Sequence, residues 1–284
     1  GVTGVKEGEK VYGRVAGGSY AEWTRMVETE VSRVPDGFSF EDAAGVPIVF
    51  MTAWQALFNK ADLQAGETVL VQAGGGGVGT AAIQLAKWKG ADVLTTVGSA
   101  EKAERAKALG ADHIILYKDS PFDEEVKRLT DDKGADVIIE TVAADNLARD
   151  VSALALFGRI VLIGNGTGKG PDATFPIGAA LHKDLYLFSM TMFNAGPQVP
   201  GILKGLEEAF AGGEVRPQGG AAFPLKEAAF DYSQLVDFLN GSVEKLALIH
   251  IKTRVMGATA KATDPETYLD TIAYLVEQSY RLVF

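Results

Sequence analysis

Short apolar blocks recur along the middle of the chain at a steady interval, separated by stretches whose apolar residues return with a helical period. Between Glu67 and about Gly164 the two alternate in units of roughly thirty residues, as βαβ units do. The pattern predicts strands at Thr68–Gln72, Asp92–Val97, His113–Leu116, Asp136–Glu140 and Ile160–Ile163. Helices are expected between them at Val78–Trp88, Ala100–Leu109, Phe122–Leu129 and Asn146–Ala155. A further strand at Asp184–Ser189 and a helix at Val199–Ala211 follow. The strands are short, apolar and partly β-branched, as expected when both faces of a parallel sheet are covered. Right-handed crossovers then make an α/β, Rossmann-type doubly wound parallel sheet, with its ligand at the carboxyl ends of the strands.

The flanks read differently. Residues 1–50 carry Gly and Pro punctuation, short alternating segments (Val11-Tyr12, Tyr20–Met26) and no long helix before Phe40. After Pro217, Ala221–Leu225 and Leu246–Lys252 again look like strands around a helix at Glu227–Leu239. The expected division is a β-rich module built from 1–50 and 216–252 around a central domain at 51–215. Residues 253–284 form a separate tail. Asp264-Pro265-Glu266 is a good helix start there, and Leu269, Ile272, Leu275, Val276 and Tyr280 share one helical face.

Chemistry enters with the run Val69-Leu70-Val71-Gln72-Ala73-Gly74-Gly75-Gly76-Gly77-Val78-Gly79-Thr80. Gly74, Gly76 and Gly79 have the G-x-G-x-x-G spacing between a strand and a helix. In that context the first glycine makes a tight turn and the second admits a pyrophosphate to the backbone. The third lets the helix pack close, and free N–H groups at the helix start hold the phosphate charge. The end of the second strand then selects the adenosine ribose. A carboxylate there would bond a free 2′-hydroxyl, but Thr95-Thr96-Val97-Gly98-Ser99-Ala100-Glu101-Lys102 has no acid on its last strand residues. Ser99 and Lys102 offer a hydroxyl and a cation to a 2′-phosphate, which favours NADPH over NADH. Ser99 is equally a good N-cap, and Lys102 equally a surface helix residue.

Composition narrows the alternatives. The formal net charge of −10 would repel a nucleic-acid backbone or an acidic membrane, so neither is expected as a partner. No apolar run approaches the length of a membrane span, and the start carries no signal-peptide pattern, so a cytoplasmic location is expected. Cysteine is absent, which removes disulfides, thiolate metal sites and a cysteine nucleophile. His113, His182 and His250 lie far apart without paired ligand spacing, so no metal site is expected. Each of the three reads as a strand-end or surface residue.

Read with their neighbours, these residues resemble the zinc-independent branch of the medium-chain dehydrogenase/reductase superfamily, the quinone oxidoreductases. Gly4-Val5-Lys6-Glu7-Gly8-Glu9-Lys10-Val11-Tyr12-Gly13 resembles that family's "G-D-R-V-Y" segment, and Gly18-Ser19-Tyr20-Ala21-Glu22-Trp23 its "GGYAEY". Val34-Pro35-Asp36-Gly37-Phe38-Ser39-Phe40-Glu41-Asp42-Ala43-Ala44 is similar to "P-D-G-x-S-F-E-x-A-A". Thr52-Ala53-Trp54, Ala106–Ile115, Gly158–Gly164 and Phe223-Pro224-Leu225-Lys226-Glu227-Ala228 continue the likeness to about residue 252. The resemblance implies that 1–50 and 216–252 belong to an incomplete GroES-like module. It also implies that Thr52, Gly74, Gly76, Gly77, Val78, Gly79, Ser99, Lys102, Tyr117, Val142, Gly164 and Asn165 lie against an NADPH cofactor. Asn165 reads equally as a loop residue with a turn preference.

The chain departs from the family in three places. It begins part-way into the GroES-like module, Glu140-Thr141-Val142-Ala143-Ala144 stands where an Asp and Gly-Gly are usual, and Val243-Glu244-Lys245 replaces a "G-K". Residues 253–284 match no family segment. The function implied is hydride transfer from NADPH to a quinone or an α,β-unsaturated carbonyl. The cofactor carries the chemistry, and the protein supplies orientation and a dry cleft. No catalytic side chain is identified; Tyr12 and Tyr20 read as packed residues of the β-rich module. Two other readings are an enoyl-thioester reductase of a multienzyme system and a truncated dinucleotide-binding relative without catalysis. A homodimer is a further expectation.

Overall fold

The computed structural model describes residues 4–15, 19, 21–166, 172–219 and 225. Strands β1 (Val11–Gly13) and β2 (Val31–Arg33) pair antiparallel, with Tyr12 opposite Ser32. Helix α1 (Phe40–Ala44) is opened by a reciprocal capping box. Asp42 N–H donates to Ser39 Oγ, and Ser39 N–H donates to the Asp42 carboxylate, both at 3.0 Å. Helix α2 (Val49–Trp54) runs on through a π-helical stretch at Gln55–Lys60.

The βα alternation then follows in order: β3 (Thr68–Val71), α3 (Gly77–Lys89), β4 (Asp92–Val97), α4 (Ala100–Ala108), β5 (His113–Leu116) and α5 (Phe122–Leu129). It continues with β6 (Ala135–Glu140), α6 (Ala143–Ala153), β7 (Leu154–Leu162), α7 (Ile177–Lys183), β8 (Tyr186–Ser189) and α8 (Val199–Ala211). The six strands β3 to β8 make one parallel sheet in the order β5-β4-β3-β6-β7-β8. The chain moves outward one way from β3 and the other way from β6. In a sheet of this order a ligand crevice is expected between these two strands at their carboxyl ends.

Strand alternation builds two buried layers. Val69, Val71, Val93, Val137, Ile139 and Val161 join a core with residues of α2, α3 and α8. The intervening Leu70, Leu94, Ile138 and Ile160 join a second core with Phe122 and Val126 of α5 and Leu147 and Val151 of α6. Continuing the Leu70, Leu94 and Ile138 positions by two residues gives Gln72, Thr96 and Glu140, all buried polar side chains at the carboxyl ends.

The central strands and helices match the sequence expectation, and three differences are instructive. The helix expected at Asn146–Ala155 starts at Ala143 and stops at Ala153, where β7 begins, six residues before its expected start. Its end is set from a distance: Lys183 Nζ donates to Ser152 O at 3.0 Å and also to Leu154 O, a tertiary cap that no local pattern announces. Helix α7 has no counterpart in the sequence expectation; it is short, none of its residues is fully buried, and only the small Ala179 and Ala180 pack on the second core. Over the short alternating segment Tyr20–Met26, the described residues are bends and irregular chain.

The chain falls into two compact units, one of Gly1–Arg14 and Met26–Gly219 and another of Val15–Arg25 and Gly220–Phe284. The strands expected at Ala221–Leu225 and Leu246–Lys252, the helix at Glu227–Leu239 and the terminal helix lie outside the described residues, Leu225 excepted. Among the described residues no helix is long and apolar enough to cross a membrane.

Candidate dinucleotide site

The glycine loop turns where the sequence places it. After β3 the backbone reverses through Ala73 at φ +54, and Gly74 N–H donates to Thr96 O at 2.9 Å. A methyl group on Gly74 would run into Thr95 Oγ1, and one on Gly79 would press on Ala73 O and come within 2.8 Å of Gly74 Cα. Gly74 thus permits the turn, and Gly79 the close approach of α3 to β3. Gly76 differs: its nearest neighbour would be Ala73 O at 3.3 Å, leaving that backbone face open for a ligand. Helix α3 begins at Gly77 with no side-chain cap and no acid in its first turn. Its first helical bond runs from Thr80 N–H to Gly76 O at 2.9 Å, so the N–H groups of Gly77, Val78 and Gly79 precede the hydrogen-bonded ladder. Uncapped donors at the positive end of a helix suit a pyrophosphate.

Three further expected residues gather beside the loop. Ser99 caps α4, its Oγ accepting from Lys102 N–H at 3.3 Å. The Lys102 stem lies over the loop, for a methyl on Gly75 would sit 2.7 Å from Lys102 Cδ. Tyr117, half-exposed after β5, lies on Gly98 at the end of β4, where a methyl would meet its Oη at 2.8 Å. The cap role of Ser99 is therefore real, and it holds the Ser99–Lys102 turn next to the loop.

A second group forms across the crevice. Val142 and Asn165 make an antiparallel bridge, and Ala143 and Ala144 N–H donate to Gly164 O at 3.3 Å and Asn165 O at 3.0 Å. A methyl on Gly164 would strike Thr141 O, so the chain after β7 passes tightly over the turn after β6. Thr52 stands apart: it is buried in α2, and among the described residues no hydrogen bond joins its side chain to the glycine loop.

Beneath both groups lies a polar cluster that sequence reasoning did not assemble. Glu140 accepts from Val142 N–H and from Asn146 Nδ2 at 3.2 Å. Asp150 Oδ1 accepts from Gln72 Nε2 at 3.0 Å, and both carboxyl residues are fully buried. Burial raises the pKa of Glu140 above the ordinary carboxylate range. Asp150 is raised well above it, first by burial and then by the facing Glu140 charge. A signal was present: Gln72 and Glu140 each follow three consecutive apolar residues, and Asn146 and Asp150 are four apart on one helix face.

Tyr12 is packed, 4% exposed, and burial pushes its phenol up to about 12. Tyr20 lies outside the described residues. His113 opens β5 and His182 sits in α7, and no group of three His, Asp or Glu among the described residues could hold a metal ion.

A parallel sheet in this order, with a glycine-lined, uncapped helix start at its switch point, defines a doubly wound dinucleotide-binding protein. The sequence model described as zinc-binding dehydrogenase matches residues 77–208. The rat quinone oxidoreductase is 32% identical over 256 residues, covering 88% of this chain and 75% of the rat protein. A highly reducing polyketide synthase of Emericella nidulans is 40% identical over 164 residues, which are 57% of this chain and only 6% of the synthase. The Thermus thermophilus quinone oxidoreductase, whose structures include a complex with NADPH, superposes with a TM-score of 0.70. It is 32% identical, covering 82% of this chain and 75% of that one. The JamJ enoyl reductase gives a TM-score of 0.62 at 30% identity, covering 72% and 62%. The chain belongs to the medium-chain dehydrogenase/reductase family as a quinone-oxidoreductase-like member, and is an oxidoreductase.

The glycine geometry separates two effects. Gly79→Ala should cost about 1–3 kcal/mol of stability, since a methyl must displace backbone. Gly76→Ala should leave the unfolding midpoint nearly unchanged while weakening dinucleotide binding. Urea denaturation and fluorescence titration with NADPH read the two quantities; equal stability losses would show that neither glycine is specific to the ligand.

Proposed function

We propose that the protein is an NADPH-dependent reductase of quinones or α,β-unsaturated carbonyls. The observation that carries the reading is the uncapped glycine cradle beside a β4 end that has no carboxylate and lies next to Lys102. Gly77, Val78 and Gly79 N–H groups would hold the pyrophosphate, and Ser99, Lys102 and Tyr117 would surround a 2′-phosphate. The turn of Val142, Gly164 and Asn165 would flank the nicotinamide end, with Thr52 approaching from α2. When bound, NADPH supplies the hydride; the protein's part is to orient the acceptor and exclude water. The complex of the Thermus thermophilus relative with NADPH supports the choice of cofactor.

A second reading, reduction of an enoyl thioester, draws on the likeness to an enoyl reductase and to a polyketide synthase. A homodimer belongs to the same proposal. Strand β8 ends the sheet, Tyr186 and Leu187 on it are exposed, and among the described residues no strand pairs with its outer edge.

Three measurements test these readings. Lys102→Ala should raise the NADPH dissociation constant about tenfold or more, the worth of one charge-assisted phosphate contact, and leave NADH unaffected. Equal losses for both would remove the 2′-phosphate role. NADPH oxidation with quinones and enones should exceed that with acyl thioesters. The opposite order selects the second reading, and binding without turnover of any acceptor overturns both. Leu187→Lys should convert a sedimenting dimer to monomer, and a monomeric wild type would dismiss the dimer.

A further inference from the structure

The side chains under the crevice form two hydrogen-bonded runs that face each other at Asp150 and Glu140. Ala73 N–H, in the glycine loop, donates to Thr96 Oγ1 at 3.1 Å, and the Thr96 hydroxyl donates to Gln72 Oε1 at 2.6 Å. The Gln72 amide passes the chain on to Asp150 Oδ1 at 3.0 Å. From the opposite side, Val142 N–H and the Asn146 amide donate to the two oxygens of Glu140. The halves meet where the Asp150 and Glu140 carboxyls lie within hydrogen-bond reach of each other. Asp150 Oδ2 is buried and without a partner as an acceptor. Two ionised carboxylates offer each other only lone pairs, whereas one proton on that oxygen supplies the donor that the Asp150–Glu140 contact lacks and joins the two runs. Thr96, Gln72, Glu140 and Asp150 are all buried, so bulk solvent does not reach the contact between the two carboxyls.

We propose that Glu140 and Asp150 share a single proton, and that this proton links the glycine loop to the turn at Val142, positioning the two ends of the cleft as one unit. The linkage to ligand binding rests on the dinucleotide reading above; the shared proton does not. Both carboxyls are fully buried, so their role is positioning. Among the described residues no cation offsets them. Of the charged groups nearby, Asp123 on α5 adds negative charge near Asp150, and Arg149 on α6 lies 4.0 Å from Asp123. Asp145 is in the first turn of α6, while the turn after β3 and strand β4 contribute the neutral Gln72 and Thr96. Loss of the proton sets two negative charges against each other in a dry site and opens the link.

The sign of the pH effect follows. A carboxyl kept protonated by the fold binds its proton more tightly in the native than in the unfolded state. Stability therefore falls as pH rises from the unfolded carboxyl range, about 4, through the native value. Asp150→Asn keeps a donor toward Glu140 and an acceptor toward Gln72 but does not titrate; Asp150→Leu keeps neither. The thermal midpoint of the protein without cofactor, and its affinity for NADPH by fluorescence, are measured from about pH 5 to about pH 9. The wild-type midpoint should fall relative to Asp150→Asn as pH rises. The wild-type NADPH dissociation constant should climb by up to about tenfold per pH unit above the pair's apparent pKa. Asp150→Asn should lack that fall and that climb, keeping only the pH dependence common to both proteins, and Asp150→Leu should bind NADPH weakly at every pH. Parallel midpoint profiles in wild type and Asp150→Asn overturn the shared proton. Divergent midpoints with parallel affinity profiles overturn the link to the cleft. A folded wild type that binds no NADPH overturns the dinucleotide reading instead, and the midpoint profiles still decide the proton.

Discussion

Covering a parallel sheet on both faces leaves its strands with no water, and that dryness governs the rest of the molecule. Inside the sheet the cost is met by the ladder: β3 sits between β4 and β6, every one of its residues is buried, and its central side chains are apolar on both sides. The ladder ends at the carboxyl edge, but burial does not. Gln72, Thr96 and Glu140 extend the apolar series of Leu70, Leu94 and Ile138 by one step each and remain buried. Polar groups in that position must satisfy one another, so they form a network rather than a row of independent side chains.

The cradle above that network is made by subtraction. Gly74 and Gly79 remove two side chains that would otherwise hold α3 away from β3 and β4, and Gly76 leaves backbone uncovered. No side chain caps α3, so its partial positive charge is directed into the crevice at the sheet's switch point. Two of the acids on neighbouring strands and loops are engaged away from the glycine loop. Asp112 accepts from Lys87 and from Val93 N–H, and Glu67 pairs with Arg159. A chain with a net charge of −10 can hold an anion because the local field at one helix end, and not the total charge, faces the ligand.

How much of this was legible in the sequence follows from the range of each interaction. Strands β3, β4, β5 and β6 and helices α3 and α5 are set by local period and by glycine, and they fall within a residue or two of their expected bounds. The glycine loop was legible because its geometry is written in consecutive residues. The end of α6 was not, because Lys183 supplies its cap from 31 residues beyond Ser152. The polar network was not, because it draws one or two residues from each of β4, β6, α6 and the turn after β3. Gln72 and Asp150 are 78 apart in the chain and touch only when the sheet is assembled. Of the expected site residues, those on the loop, near Tyr117 and near Val142 fall into two tight groups. Thr52 is placed by resemblance alone, and no described hydrogen bond ties it to them.

Glu140 shows how the two kinds of information combine. In the sequence it is a departure, an acid at the end of β6 followed by Thr141-Val142-Ala143 where the resemblance implies an Asp and two glycines. In the fold its side chain turns back to accept from Val142 N–H, two residues on, while also reaching Asn146 and Asp150. Asn146 and Asp150 are one helical turn apart, so α6 presents both to the same carboxyl. The turn after β6 has no glycine of its own to shape it; instead it is held by the side chain that opens it, and by the bridge from Val142 to Asn165. A glycine-rich turn would need no such brace. A turn of Val and Ala does, and the brace is a buried carboxyl whose charge has nowhere to go except into the network beneath the glycine loop.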